Sequence, residues 1–319
     1  MKRVLITGAT GFVGAQLCEV LSRQGYLLRA ALRADQALPA HVAEKTVVGE
    51  IDARTDWAAA IDGVDCVVHC AARAHILNDE PGNAANYMQT NAYGTERLAG
   101  ACAAARIRRL ILLSSVKVNG ERNLNGAFTA DDPPRPADAY AESKQYAEAC
   151  LMNIAAGCEM EVAIVRPPLV YGPGVRANFL RLMNLVDRQV PLPLGAVNNS
   201  RSLVSVWNLC GLIERLLRDA IPKSAIFMVS DGEDLSTAEL IRRIGSAMSR
   251  RTRLIPIPVP LLRVMSVLAG RRTEFERLCE SLTVVISMTQ AALEWIPPIS
   301  VAEGLSRTAR WYLSRPDNS

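Results

Sequence analysis

The feature that most constrains this chain is a glycine-rich turn close to its start. Val4–Thr7 is an apolar strand pattern, and Phe12–Arg23 repeats apolar residues at helical spacing. Between and just after them stand Gly8, Gly11 and Gly14, which permit a tight turn, close approach of a pyrophosphate and close packing of the helix on the strand. A helix N-terminus at such a turn offers free N–H groups and a positive dipole end. The unit therefore predicts a dinucleotide-binding site.

Short apolar strands alternate with helical patterns through the first half of the chain. Strands are predicted at Val4–Thr7, Leu27–Leu32, Thr46–Val48, Val64–His69, Leu110–Ser114 and Val162–Arg166. Helical segments lie between them around Asp56–Ile61, Ala84–Ala105 and Tyr140–Ala156. This order predicts an α/β fold with a doubly wound parallel sheet that helices cover on both faces.

The composition of the chain changes after Arg166, where Pro and Gly become frequent and the predicted strands become short. We predict a dinucleotide-binding domain at residues 1–166. Residues 167–319 are predicted to form mainly a smaller C-terminal lobe that binds the substrate. Its short strands, such as Ala225–Val229, would partly return to the first sheet, so the two parts interleave.

Composition and charge exclude several classes of protein. The chain has 319 residues, of which half are hydrophobic and 5% aromatic, and its formal net charge is +4. Basic residues are scattered, the densest group being Arg250, Arg251 and Arg253. Because a nucleic-acid-binding protein usually has a basic stripe with stacking aromatics, we predict no nucleic-acid partner.

The cysteines and the apolar runs indicate where the protein works. The 8 cysteines are irregularly spaced, and no second pair joins Cys66 and Cys70 to complete a zinc site. Free thiols in apolar patterns indicate a reducing compartment. The first apolar run stops at Gly8, and the run Leu254–Gly270 is interrupted by prolines and Arg263. We therefore predict a cytoplasmic protein with no metal and no membrane insertion.

Several residues after the strands are candidates for cofactor contacts. The second strand ends at Arg33 rather than at the acidic residue that would bind a ribose, so a 2′-phosphate is accommodated and the cofactor is predicted to be NAD or NADP. A solvated surface arginine is the alternative interpretation. Glu50 and Ile51 follow the third strand and could frame the adenine. Ala71 and Ala72 follow the fourth, where small side chains allow close approach.

A second group of residues predicts acid–base chemistry. Tyr140 and Lys144 are four residues apart, on one face of a helix. A nearby ammonium favours the phenolate and lowers the pKa of a tyrosine from its usual value of about 10. The pair alone also fits an ordinary helix surface. Ser114 and Ser115 favour the catalytic interpretation, because they end the fifth strand at the edge where doubly wound folds bind ligands. Asn91 is a further polar candidate.

Together these motifs resemble the extended short-chain dehydrogenase/reductase superfamily. The sequence is specifically similar to its nucleotide-sugar enzymes, the NAD-dependent epimerase/dehydratase family that includes UDP-glucose 4-epimerase. The matching segments are Thr7–Gly14, His69–Ala72, Asn91–Thr95, Ser114–Gly120, Tyr140–Lys144 and Arg166–Gly174. The resemblance implies a Rossmann-type fold and a UDP-sugar substrate, and it allows a homodimer.

The resemblance also implies roles for individual residues. Ser115, Tyr140 and Lys144 would be catalytic. The cofactor would be bound by Gly8, Gly11, Phe12, Val13, Gly14, Arg33, Glu50, Ile51, Ala71, Ala72, Asn91, Ser114, Tyr140, Lys144 and Pro167. The substrate would be bound by Arg73, Lys117, Asn178, Phe179, Arg201 and Arg277, with Asn178 and Arg201 at its diphosphate.

Departures from the family pattern narrow the implied reaction. Dehydratases carry a Thr-Asp-Glu-like run where this chain has Ser115-Val116-Lys117, so dehydration is not expected. The implied function is 4-epimerisation of a UDP-hexose or UDP-N-acetylhexosamine. Lys117 and Asn119 can donate to an amide carbonyl, which favours the N-acetylated sugar.

Two other functions stay open at this point. One is C4 reduction of a UDP-4-keto-6-deoxy-N-acetylhexosamine, which forms UDP-N-acetyl-quinovosamine for surface polysaccharide. The other is a non-catalytic dinucleotide-binding regulator, because a fold alone does not establish a function. Retention of Ser115, Tyr140 and Lys144 favours an enzyme over a regulator.

Overall fold

The computed structural model describes residues 2–37, 41–74, 83–124, 126–268, 270 and 272–315. The strands in this part of the chain are β1 (Arg3–Thr7), β2 (Leu27–Leu32), β3 (Glu44–Val47), β4 (Cys66–His69), β5 (Arg109–Leu113), β6 (Glu161–Arg166), β7 (Leu169–Tyr171), β8 (Leu203–Ser205) and β9 (Ser224–Met228). Seven of these described strands form one sheet in the order β3-β2-β1-β4-β5-β6-β9, and every pairing in it is parallel. The predicted α/β fold with a doubly wound parallel sheet is confirmed.

Helices pack on both faces of this sheet. Those in the described residues are α1 (Phe12–Arg23), α2 (Ala58–Ile61), α3 (Asn83–Tyr87), α4 (Gly94–Ala104), α5 (Ala139–Ala156), α6 (Ala177–Asp187), α7 (Val206–Arg218), α8 (Thr237–Ala247), α9 (Val259–Leu268), α10 (Arg272–Cys279), α11 (Ser287–Leu293) and α12 (Val301–Leu313). Alternate strand residues face opposite cores: Ile6 packs with α1 and α7, whereas Leu5 packs with α4 and α5. None of the described helices is long and apolar enough to cross a bilayer.

The second half of the chain contributes to both parts of the molecule. β9 pairs with β6, and α7 packs against the sheet, although both follow residue 166. A separate core forms around α6, α8 and α12, where the paired strands β7 and β8 supply Tyr171 and Leu203. The domain division at residue 166 stays a prediction.

Two stretches differ from the sequence-based expectation. The long helix expected over Ala84–Ala105 is α3 and α4 joined by a π-helical stretch, Met88–Tyr93. The helices α6, α7 and α11 were not predicted, although α7 buries one apolar side from Val206 to Leu217. The strand pattern at its start concealed the helical spacing that follows.

Candidate active site

The glycine turn has the geometry that a bound pyrophosphate requires. Gly8 has a φ of +70°, and a Cβ there would lie 2.8 Å from the backbone nitrogen of Ala71. A Cβ on Gly14 would overlap the carbonyl oxygen of Gly8. Gly11 is the N-cap of α1, no side chain caps that helix, and its first turn carries no acidic residue. Backbone N–H groups and the positive dipole end therefore face outward at this turn, as an anion needs.

A buried hydrogen-bonded relay joins the ends of β1 and β4. Thr95 Oγ1 donates to a backbone carbonyl one turn earlier in the chain, so it accepts from Nε2 of His69 at 3.1 Å. Nδ1 of His69 then accepts from Thr7 Oγ1 at 2.7 Å, and Thr7 accepts from the N–H of Ala71 at 3.1 Å. Burial, together with the charge of Lys144, lowers the pKa of His69 to about 3. The imidazole is therefore neutral and fixes the loop that follows β4.

Asn91 holds the same loop against the catalytic helix. Its Oδ1 accepts from the N–H of Arg73 at 2.8 Å, and its Nδ2 donates to the Arg73 carbonyl and to Ser143 Oγ, both at 3.0 Å. Ser143 Oγ in turn donates to the carbonyl of Tyr140 at 2.7 Å. Asn91 is fully buried, and both N–H bonds of its amide are used within the protein. In the structure Asn91 therefore positions the loop after β4 against α5, and its predicted cofactor contact stays a prediction.

Ser115, Tyr140 and Lys144 come together at the carboxyl edge of the sheet. Ser115 lies two residues beyond the end of β5 and caps a short 3₁₀ turn, Val116–Val118. Asp138 caps α5 by accepting from the backbone of residue 141, which places Tyr140 in the first turn. The Tyr140 hydroxyl is hydrogen-bonded to Ser115, and Lys144 is buried one turn further along the same helix.

The protonation states at this edge differ from the expectation. Burial raises the pKa of Tyr140 to about 12, and the charge of Asp138 adds to this, so that the hydrogen bond from Ser115 does not compensate. Burial lowers the pKa of Lys144 to about 8 against the opposing charge of Glu148. The expected lowering of the Tyr140 pKa by Lys144 is not found: burial raises this pKa, and only the hydrogen bond with Ser115 lowers it. The tyrosine is a neutral proton carrier here, and deprotonation requires an additional positive charge in the site.

A buried ion pair that the sequence patterns did not predict joins α5 to β6. Arg166 Nη2 lies 2.6 Å from Glu148 Oε2, with both side chains almost wholly buried. Ser114 Oγ binds the same carboxylate, and Asn119 Oδ1 accepts from Arg166 Nη1 at 3.1 Å. Asn119 Nδ2 also donates to a backbone carbonyl at 3.1 Å. The hydroxyl of Ser114 and the amide of Asn119 therefore belong to this network, and the ligand contacts predicted for them stay predictions.

Lys117 is also engaged within the protein. Its Nζ lies 2.9 Å from Glu121 and forms a second ion pair with Asp138. Burial opposes the ammonium, but the hydrogen bonds to these two carboxylates raise the pKa of Lys117. Lys117 thereby connects the loop after Ser115 to the N-cap of the catalytic helix. Lys117 and Asn119 are thus both hydrogen-bonded within the protein, which weakens the argument for an N-acetyl contact.

The predicted substrate residues of the second lobe are in contrasting environments. Asn178 is exposed in the first turn of α6, whereas the ring of Phe179 stacks on Tyr171 at 5.4 Å and is 2% exposed. Phe179 is therefore a core residue and not a substrate contact through its side chain. Arg201 Nη1 donates to the carbonyl of Glu280 at 2.9 Å, and burial lowers its pKa.

Arg277 connects the second lobe electrostatically to the catalytic helix. It is exposed on α10, and its charge helps to lower the pKa of Asp138. Burial opposes that shift, and the hydrogen bond from Lys117 is the largest of the causes that lower it. Since Asp138 stands two residues before Tyr140, the guanidinium of Arg277 lies on the catalytic side of the lobe.

The residues predicted at the adenosine end form an exposed pair. Arg33 Nε lies 3.3 Å from Glu50 Oε1, and more than half of each side chain is exposed. Ile51 packs where a Cβ on Gly94 would lie, so it borders α4. Of the others, Phe12, Val13 and Ala71 are partly exposed, Ala72 is exposed, and Pro167 is buried with its carbonyl accepting from the N–H of residue 116 at 3.0 Å.

Comparison with known proteins agrees with this geometry. Residues 4–229 match the model of the NAD dependent epimerase/dehydratase family. The chain is 39% identical, over 98% of its length, to a UDP-glucose 4-epimerase of Vibrio cholerae, and it covers 96% of that protein. The chain belongs to the NAD-dependent epimerase/dehydratase family. The resemblance seen in the sequence is confirmed, and with it the expectation of an NAD-dependent enzyme.

Other members and structural neighbours of this family are more distant. A 3-beta-hydroxysteroid dehydrogenase of Mycolicibacterium neoaurum is 31% identical over 79% of the chain, which covers 71% of that protein. A crystal structure of UDP-glucuronic acid 4-epimerase from Bacillus cereus in complex with NAD superposes with a TM-score of 0.78 at 20% identity, covering 97% of this chain and 98% of that one. The second likeness shows the shared fold. In this chain, the turn from Gly8 to Gly14 would hold the pyrophosphate of NAD.

Proposed function

We propose that the protein is a 4-epimerase of a UDP-activated hexose or N-acetylhexosamine. The observation that carries the proposal is the joint placement of Ser115, Tyr140 and Lys144 at the carboxyl edge of the sheet, next to the glycine turn. The 39% identity to the Vibrio cholerae enzyme favours epimerisation over one-way C4 reduction. Because Ser115, Tyr140 and Lys144 are all present, a non-catalytic dinucleotide-binding regulator is disfavoured.

The proton at the sugar O4 is the part of the reaction that these residues control. Once a positive charge in the site has favoured the phenolate, Tyr140 Oη accepts this proton when the hydroxyl is oxidised, and it returns the proton when the 4-keto sugar is reduced on its other face. Ser115 Oγ, already bonded to that phenol, holds the reacting oxygen. Lys144 stabilises the phenolate while it exists. NAD supplies a hydride acceptor and a positive charge in its oxidised form.

The residues after Ser115 do not support dehydration. Elimination of water from the sugar needs an acid and a base at this point, and Val116 is buried and apolar. Lys117 is held in ion pairs with Asp138 and Glu121. The loop therefore supplies no free proton donor or acceptor beyond Ser115.

Two further properties belong to the proposal. The 8 free cysteines favour a reducing, cytoplasmic location. The homodimer suggested by the resemblance would be measured by analytical ultracentrifugation of the full chain.

The substitution Tyr140→Phe tests the proposed function. Removing a general acid–base group costs about 10²–10⁴-fold in rate. We expect kcat for interconversion of UDP-glucose and UDP-galactose, or of their N-acetylated analogues, to fall by about that factor while NAD still binds. Tyr146→Phe, on the same helix but 38% exposed, is the matched control and should leave turnover unchanged. Normal turnover in Tyr140→Phe would refute the assignment.

A further inference from the structure

Helix α9 turns an apolar face outward. Leu261, Val264, Met265 and Leu268 are 51%, 56%, 48% and 83% exposed. Their spacing of i, i+3, i+4 and i+7 places them on one side of the helix, and we call them the apolar stripe. Leu262, on the other side, packs into the core of the second lobe at 7% exposure. α9 is therefore apolar on its solvent side as well as on its core side.

The exposed apolar surface extends beyond the stripe. Val267 on the same helix is 55% exposed, and Ile255 in the segment leading to α9 is 46% exposed. Single exposed apolar residues are common, but a group of this kind in one short segment marks an interaction site.

The charge of the surrounding segment is strongly one-sided. Residues 240–273 contain 8 arginines and no Asp, Glu or Lys, and three of these arginines, Arg242, Arg243 and Arg250, form ion pairs with carboxylates outside the segment. Since the whole chain has a net charge of +4, the rest of it carries 4 − 8 = −4. Arg251, Arg253 and Arg263 are exposed close to the apolar stripe in the chain. Because basic residues are scattered along the whole chain, composition alone does not reveal that this segment lacks acidic residues.

We propose that the apolar stripe and its arginines dock this protein on the surface of an anionic lipid membrane. Interfacial helices combine an apolar face that enters the acyl boundary with basic residues that meet anionic headgroups. A helix of 10 residues is too short to span a bilayer, so α9 lies in the plane of the interface.

The charge and the residue types of this surface argue against other occupants. A second copy of the chain docked through the same face would bring the exposed arginines Arg251, Arg253 and Arg263 of the two copies together. A nucleic acid would use aromatic stacking, and the stripe consists of aliphatic residues and methionine. Anionic lipid satisfies both the apolar and the basic part of the surface.

Vesicle co-sedimentation of the full chain tests the docking. Wild type should pellet with phosphatidylcholine vesicles that contain phosphatidylglycerol, and much less with phosphatidylcholine alone or at high salt. Leu261→Ser with Leu268→Ser should lower the partition coefficient by about tenfold per side chain. Arg251→Gln with Arg253→Gln should lower it by about fivefold per arginine.

Ile296→Ser is the matched control, because Ile296 is 76% exposed outside this surface. It should leave vesicle binding unchanged, and the thermal midpoints of all variants should match that of wild type. None of these residues belongs to the catalytic set, so turnover of soluble UDP-sugars is a separate measurement. Three outcomes would each overturn the proposal. Wild type could fail to bind anionic vesicles, binding could survive loss of the stripe, or the protein could self-associate through α9 in place of lipid binding.

Discussion

The sheet edge that carries Tyr140 and the residues predicted to bind substrate in the second lobe present their polar side chains in opposite ways. At the edge, Asn91, His69 and the Glu148–Arg166 pair are buried, and each is hydrogen-bonded to other groups of the protein. In the second lobe, Asn178 and Arg277 are exposed. The first set is positioned by folding, before any ligand arrives, because buried polar groups must be satisfied within the protein. The second set can be ordered by the ligand.

Breaking the buried ion pair should have the largest effect on stability. Arg166→Met leaves Glu148 buried without its partner, and Glu148→Leu does the same to Arg166. Each substitution should lower the free energy of unfolding by about 3–5 kcal/mol, measured by denaturant titration. The double variant should lose less than the sum, because it leaves no uncompensated charge. Glu303→Gln, in an exposed pair with Arg307, is the control and should cost under about 1 kcal/mol. Additive losses would show that the two charges act separately.

The buried histidine predicts a specific acid sensitivity. Its pKa is lowered to about 3 in the folded protein, against about 6.5 when unfolded, so the unfolded chain binds more protons between these values. The free energy of unfolding should therefore fall as pH drops from about 6.5 towards 3, by on the order of a few kcal/mol. Acid titration followed by circular dichroism measures this.

His69→Gln is the comparison for that titration. A glutamine can still bond Thr7 and Thr95 but does not titrate. The variant should be less stable than wild type at neutral pH and should lose less stability on acidification. Identical pH dependence in the two proteins would mean that other groups cause the acid sensitivity.

Local sequence patterns predicted the parts of the structure that local physics determines. The glycine turn needs small residues at Gly8 and Gly14 for steric reasons, and the alternation of strands and helices follows from apolar periodicity. The spacing of Tyr140 and Lys144 on one helix face is a property of the helix itself. These features require no knowledge of distant segments.

The parts that sequence reasoning missed depend on partners far apart in the chain. Glu148 meets Arg166 across 18 positions, and His69 meets Thr7 across 62. A signal for the first was a charged residue on the apolar side of α5. Asn178 and Phe179 are adjacent, but one step along a helix turns a side chain by about 100°, so one faces solvent and the other the core. A match to a family motif therefore predicts where a residue lies in the fold but not which way its side chain points.

Removing an exposed arginine of the second lobe should affect substrate binding and leave stability almost unchanged. Hydrogen bonds to a charged group are worth about 1.5–3 kcal/mol, so Arg277→Ala should raise KM for the UDP-sugar by about 10- to 100-fold. Because the resemblance assigns Arg277 to the nucleotide end of the substrate and not to the reacting C4, kcat should change little. Arg181→Ala, an exposed arginine on α6, is the control. Unchanged KM would remove Arg277 from the substrate site.

The smallest effect is expected at the adenosine end, where Arg33 and Glu50 form an exposed pair. A pair so accessible to water contributes about 0–1 kcal/mol to stability. Arg33→Ala should therefore lower the free energy of unfolding by less than about 1 kcal/mol and change the Kd of NAD by less than about threefold. A 2′-phosphate would compete with Glu50 for the guanidinium, and the carboxylate would repel it. Arg33→Ala should therefore weaken NADP more than NAD, and Glu50→Gln should strengthen NADP alone. Isothermal titration of both cofactors measures these changes. An equal effect of Arg33→Ala on the two cofactors would show that Arg33 does not contact the 2′ position.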